Sequence, residues 1–125
     1  MLEIPINTTK DKIFEQYLYI INPVLNKNKL TDIEVKVLAK LLYVYHIYLS
    51  LGREKANMIV FNAETKKRIR TAISNELGSI FSVNSFNNCI SKLKKKGCIK
   101  DNTLLIRVPY EDGEIKIGFK LKVNE

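Results

Sequence analysis

A chain of 125 residues with 46% hydrophobic and 27% charged residues, five glycines and three prolines has the makeup of one globular domain, which excludes collagenous, low-complexity and wholly disordered chains. Two cysteines, Cys89 and Cys98, and a single histidine, His46, are too few for a disulfide framework or a zinc-ligand set. The net charge of +8 points to a polyanionic partner, most often nucleic acid.

In chain order, the first nine residues carry no helical period and read as an extended arm, with a short strand expected at Leu2 to Ile6. Thr8 and Thr9 offer N-cap hydroxyls to an apolar segment, Ile13 to Ile21, that spaces like a helix and stops before Pro23. Asn22 to Lys29 is a polar connector. Thr31-Asp32-Ile33-Glu34 then has the spacing of a capping box, which starts a second helix running to about Leu51, before Gly52. From Val37 to Leu49 only Lys40 and His46 interrupt its apolar belt, so it must be covered on more than one side.

Met58-Ile59-Val60-Phe61 reads as one short strand. Asn62 can cap a helix over residues 63 to 77, with Ile69, Ala72, Ile73 and Leu77 as its inner stripe and Lys67, Thr71 and Ser74 facing away. Gly78 ends it. After the link Ser79-Ile80-Phe81-Ser82 a further helix runs from Val83 to about Lys96, closed by Gly97 where a left-handed residue is wanted. From Leu104 the period becomes two. Leu104 to Val108 and Ile115 to Val123 are expected to pair as a ribbon around the turn Glu111-Asp112-Gly113-Glu114.

The expected class is therefore α+β, mainly helical with a small antiparallel sheet, divided into an arm and accessory helix (1–29) and a compact unit (30–125). The order helix, strand, helix, helix, strand, strand, with Ile73-Ser74-Asn75-Glu76-Leu77-Gly78 followed by Ser85 to Ile99, resembles the winged helix-turn-helix superfamily. It looks in particular like the MarR-type regulators and the plasmid or phage replication initiators, whose recognition helix ends in a Leu, a few polar residues, Gly, any residue, then Ile. Here those positions are Leu93, Gly97 and Ile99. The resemblance covers about residues 30 to 123 and implies a double-stranded DNA-binding protein, a small transcriptional regulator or a replication or maintenance factor.

The residues support that reading independently. Residues 63 to 100 hold nine Lys/Arg against two Asp/Glu, whereas 1 to 62 hold eight against six and 101 to 125 hold four against five. At about 100° per residue, Phe86, Cys89, Ile90 and Leu93 gather on one side of helix 83–96. Asn84, Asn88, Ser91 and Lys95 take the other side, flanked by Asn87 and Lys92, with no carboxylate and no exposed large apolar group expected there. Asn suits the N6/N7 edge of adenine, Ser donates or accepts, and Lys reaches guanine or phosphate. Asn84, Asn87, Asn88, Ser91, Lys92 and Lys95 are thus the candidate base readers. Lys67, Arg68, Arg70, Lys94, Lys96 and Lys100 are the candidate phosphate contacts.

The acidic tip Glu111, Asp112 and Glu114 departs from the basic wing of that superfamily. Either it points away from the duplex and leaves Arg107, Lys116 or Lys120 to reach it, or the wing serves a protein partner. The alternative function is accordingly a non-enzymatic structural or protein-interaction module, phage- or polymerase-associated, with RNA binding a distant third. His46 is expected to be packed, the cysteines to be buried apolar residues, and the acidic turn to be solvated. No enzyme, cofactor or metal is expected. A homodimer through the N-terminal helix and the Tyr43, Tyr45 and Tyr48 helix would read paired half-sites. The start Met1-Leu2-Glu3-Ile4-Pro5 lacks a signal peptide's basic region and apolar run, and no stretch reaches the roughly 18 apolar residues needed to span a bilayer, so a cytoplasmic protein is expected.

Overall fold

The computed structural model describes residues 5–118 and 123, without the side chains of residues 26 and 27. The fold is mainly helical with two small antiparallel hairpins, an α+β arrangement. Helix α1, Ile13–Ile21, follows a turn in which the Thr9 carbonyl accepts the N–H groups of Lys12 and Ile13 at 3.0 Å. Lys12 holds the cap position and no side chain caps the helix, so Thr9 acts through its carbonyl and not through the hydroxyl expected. Phe14 and Leu18, one turn apart, are buried. Residues Asn22–Asn28 form a 3-10 segment, and the Asn22 side chain closes it by pairing both ways with the Leu30 backbone.

Helix α2, Asp32–Tyr48, begins with the capping box its sequence announces: Glu34 N–H donates to Thr31 Oγ1 and Thr31 N–H donates to Glu34 Oε1. It is the hub of the fold, contacting α1 and the three helices that follow it. That placement accounts for its width of apolar surface, since Val35, Val37, Leu38, Leu41 and Leu42 are all buried. Each such side chain contributes about 2 kcal/mol of transfer free energy.

After a 3-10 turn, Leu49–Leu51, and Gly52 at φ +103°, the chain enters α3, Arg53–Val60. The expected strand at Met58 to Phe61 is thus a helix and its end. Arg53, Glu54 and Lys55 are good helix formers, and helical spacing turns Ala56, Asn57 and Val60 inward while leaving Met58 exposed. A short apolar run does not by itself distinguish the two periods.

Helix α4, Ala63–Leu77, is capped by Asn62, whose Oδ1 accepts the Thr65 N–H at 2.7 Å. Ile69 and Ile73 are buried as expected, but Leu77 is 46% exposed because the last turn runs past the edge of the core. Ser74, expected to face away, is half-buried: its Oγ donates to the Arg70 carbonyl and accepts the Phe81 N–H at 2.8 Å. Gly78, left-handed at φ +69°, ends the helix. Helix α5, Val83–Lys95, is capped by Ser82 and buries Phe86, Cys89, Ile90 and Leu93. It closes in a Schellman motif, with Cys98 N–H on the Leu93 carbonyl, Gly97 N–H on the Lys94 carbonyl and Gly97 at φ +81°.

The C-terminal ribbon differs from expectation. Strands β1, Ile99–Lys100, and β2, Thr103–Leu104, form one hairpin around Asp101 and Asn102, both at positive φ. Strands β3, Tyr110–Glu111, and β4, Glu114–Ile115, form a second around Asp112 and Gly113. Both turns have the two positive φ values of a type I′ turn. Leu105 N–H still donates to the Cys98 carbonyl at 2.9 Å, but residues 105–109 form no regular strand, and Pro109, with no N–H to give, follows directly on the strand expected over Leu104 to Val108. Parts of the strands expected at Leu2 to Ile6 and Ile115 to Val123 lie outside the described residues. One hydrophobic cluster runs from Phe14 to Val108, so α1 belongs to the same core as the rest.

Candidate nucleic-acid interface

Helices α4 and α5 are joined by a tight link built from side chains: Ser74 holds Phe81, and Phe81 meets Phe86 edge-on with ring centroids 6.3 Å apart. Arg70 lies over the other side of this joint, its guanidinium carbon 5.9 Å from the Phe86 centroid. The inner face of α5 rests on the N-terminal half of α2, where the Cys89 thiol points at the Ile33 carbonyl. Burial, reinforced by the nearby Glu34 carboxylate, pushes the Cys89 thiol up to about 11, and the same two causes raise Cys98. Both are free and buried.

The outer face carries the expected set. Asn84, Asn87, Asn88, Ser91, Lys92 and Lys95 are all exposed, and no carboxylate lies on the helix. Val83, however, is 51% exposed on the first turn, where no large apolar group was expected. Leu77 at the end of α4 and Ile80 in the link are exposed as well, at 46% and 91%. This apolar margin lies where α4 ends and α5 begins, and only the position of the link reveals it.

Of the candidate phosphate contacts, Lys67, Lys94 and Lys100 are exposed, and Arg68 is exposed while paired with Glu64 at 3.3 Å. Arg70 is half-buried against Phe86. Lys96 is a correction: it points inward, and its ammonium donates to Glu34 Oε1 and to the Lys29 carbonyl. At about 100° per residue it falls beside the buried arc of α5, so its charge serves the core and not the surface. Burial works to raise the Glu34 carboxyl, but the hydrogen bonds from Lys96 and Thr31 and the Lys96 charge outweigh it and hold the group below the usual carboxylate range.

Few negative charges oppose the cationic face. Glu76 is turned toward Lys40, Lys12 and Lys36 at 2.7, 3.5 and 3.8 Å, in a network that also joins Lys36 to Glu15. The carboxylate that the sequence sets among the basic residues of 63–100 is therefore neutralised by lysines from the N-terminal third. The acidic turn lies elsewhere. Tyr110 at the base of the second hairpin packs on Phe14 and His46, with centroids 5.3 and 5.6 Å away. His46 is 13 residues beyond Ile33 on α2, about 20 Å along the axis from the contact with Cys89. Arg107 and Lys116 are exposed near this hairpin, and Lys120 lies outside the described residues.

His46 is stacked on Phe14 at 5.0 Å, and Tyr43 meets the same ring edge-on at 6.4 Å. Tyr43 and Tyr45 thus pack against the core, and Tyr48 is the tyrosine of this helix left exposed. Among the described residues no group of three His, Cys, Asp or Glu side chains is placed to hold a metal ion, and no helix is long and apolar enough to cross a membrane. Comparison with protein-family models, curated proteins and solved structures found no match.

Proposed function

We propose that this chain binds double-stranded DNA in the manner of a winged helix-turn-helix protein, laying α5 in the major groove, and that it acts in the cytoplasm as a small regulator or as a replication or maintenance factor without chemistry of its own. The observation that carries the reading is the two-sidedness of α5. Phe86, Cys89, Ile90 and Leu93, four of its five apolar side chains, are buried, while its amide, hydroxyl and lysine side chains stand outward on a helix without a carboxylate. Asparagine and serine weaken a helix, so three Asn and two Ser on one 13-residue helix favour a partner that uses them. Lys67, Lys94 and Lys100 supply positioning contacts, with Arg68 and Arg70 behind them. Paired half-sites would call for two copies, and Tyr48 with its exposed neighbours Ile47 and Leu51 offers the surface.

A second reading, a protein-gripping module, is favoured by the apolar margin Leu77, Ile80 and Val83. Salt separates the two. A fluorescence titration of random duplex should show binding that weakens steeply between 50 and 200 mM salt, on the order of a hundredfold or more for a handful of phosphate contacts. Absence of binding at low salt would overturn the DNA reading in favour of the protein partner.

A further inference from the structure

The outer surface of α5 is divided along its length. Its first two turns present Val83, Asn84, Asn87 and Asn88, all exposed, and its last turn presents Lys92, Lys94 and Lys95. No arginine, glutamine or carboxylate occurs on the helix. In helices that enter the major groove, the N-terminal residues meet the base edges. Apart from the Ser85 hydroxyl, which accepts a hydrogen bond from the Ser82 cap, the groups available at that end are amides and one branched apolar side chain.

Those two chemistries match one kind of base pair. An asparagine amide satisfies adenine N6–H and N7 together, whereas guanine, with two acceptors, is matched best by arginine or lysine. The partner of adenine is thymine, whose C5-methyl is the apolar group of the major groove. Asn84 and Asn88 stand one turn apart on the central line of the outer face, about 6 Å along the axis, close to two base-pair steps of 3.4 Å. Val83 and Asn87 form the neighbouring line, again one turn apart.

Resting on the DNA reading above, we propose that α5 selects A·T-rich sequence: Asn84 and Asn88 pair with adenines about two steps apart, and Val83 lies against a thymine methyl beside them. In this arrangement Lys92 and Lys95, candidates for bases in the sequence, join Lys94 in holding phosphate and leave the selection to the first two turns. The exposed valine, which the rival reading gives to a protein partner, then lies against DNA.

The test is a selection from randomised duplexes with the full chain, followed by atom-level substitution in the enriched duplex. Enrichment of A·T pairs with two adenines spaced one to three steps apart is expected. Replacing the key adenine by 7-deazaadenine removes N7 and should weaken binding about tenfold for the wild type and little for Asn88→Ala. Replacing thymine by uracil removes the methyl and should weaken the wild type severalfold but leave Val83→Ala unaffected. Circular dichroism on both variants establishes that they fold. Tight, salt-dependent binding with G·C-rich enrichment or none, or equal sensitivity of wild type and variants to the modified bases, would overturn the A·T selection and leave DNA binding standing. No duplex binding at low salt would overturn both.

Discussion

Asn57, on a helix, completes the edge of a strand: its Oδ1 accepts the buried Leu104 N–H at 3.0 Å while its Nδ2 donates to the Arg53 carbonyl. The outer edge of β2 thereby meets a side chain from α3 and not another strand. An unpaired buried amide costs about 1–3 kcal/mol, so Asn57→Ala should lower stability by that amount in urea unfolding. Hydrogen exchange at Leu104 should accelerate selectively. A variant of wild-type stability with Leu104 still protected would show that another group satisfies this edge.

Lys96 and Glu34 tie the C-terminus of α5 to the start of α2. Lys96→Met would leave a carboxylate that is 1% exposed without its cation, at a cost on the order of 3 kcal/mol. Adding Glu34→Gln, which keeps an amide oxygen for the Thr31 cap, should recover part of the loss. A single variant as stable as the parent would refute the pair. In DNA titrations Lys95→Gln should reduce the salt slope by about one, whereas Lys96→Gln should leave the slope unchanged.

Acid should act through Glu34 and Glu76. Burial works to raise both carboxyls, but lysine hydrogen bonds and charges prevail and leave both below the ordinary 4.5. Because the folded values are the lower ones, the associated stability is present above the ordinary value and is lost as pH falls below 4.5 toward and through the folded values. Urea midpoints measured at successive pH values should decline across that range, and less so in the Glu34→Gln/Lys96→Met double variant.

Histidine adds a separate step. Burial holds the His46 imidazole below its ordinary 6.5, so the unfolded chain takes up the proton first and stability declines as pH falls from that value toward the folded one. His46→Phe, which keeps a ring on Phe14 and Tyr110, should flatten the stability profile just below pH 6.5. An unchanged slope there would place the titration elsewhere.

The cysteines should be inert. With Cys89 at about 11 and both thiols buried, a disulfide reagent at pH 8 should react only as fast as the chain opens, and at full speed in urea. Immediate reaction of two thiols per chain in buffer would contradict the packing of α5 on α2.

Local signals determined much of this molecule. The capping box at Thr31, the Asn62 and Ser82 caps, the glycines at 78 and 97, and the apolar spacing of Phe86, Cys89, Ile90 and Leu93 each act within a turn or two, so adjacent residues suffice to read them. The candidate face of α5 follows from the same periodicity. Tertiary structure decided what depends on partners distant in the chain. Met58 to Phe61 joins a helix because Ala56, Asn57 and Val60 find a surface to cover, Lys96 turns inward because Glu34 lies 62 residues away, and Glu76 leaves the cationic face because three lysines of the first 40 residues converge on it. Charge and short apolar runs fix no direction by themselves. They acquire one when the core places an opposite charge or an empty surface beside them.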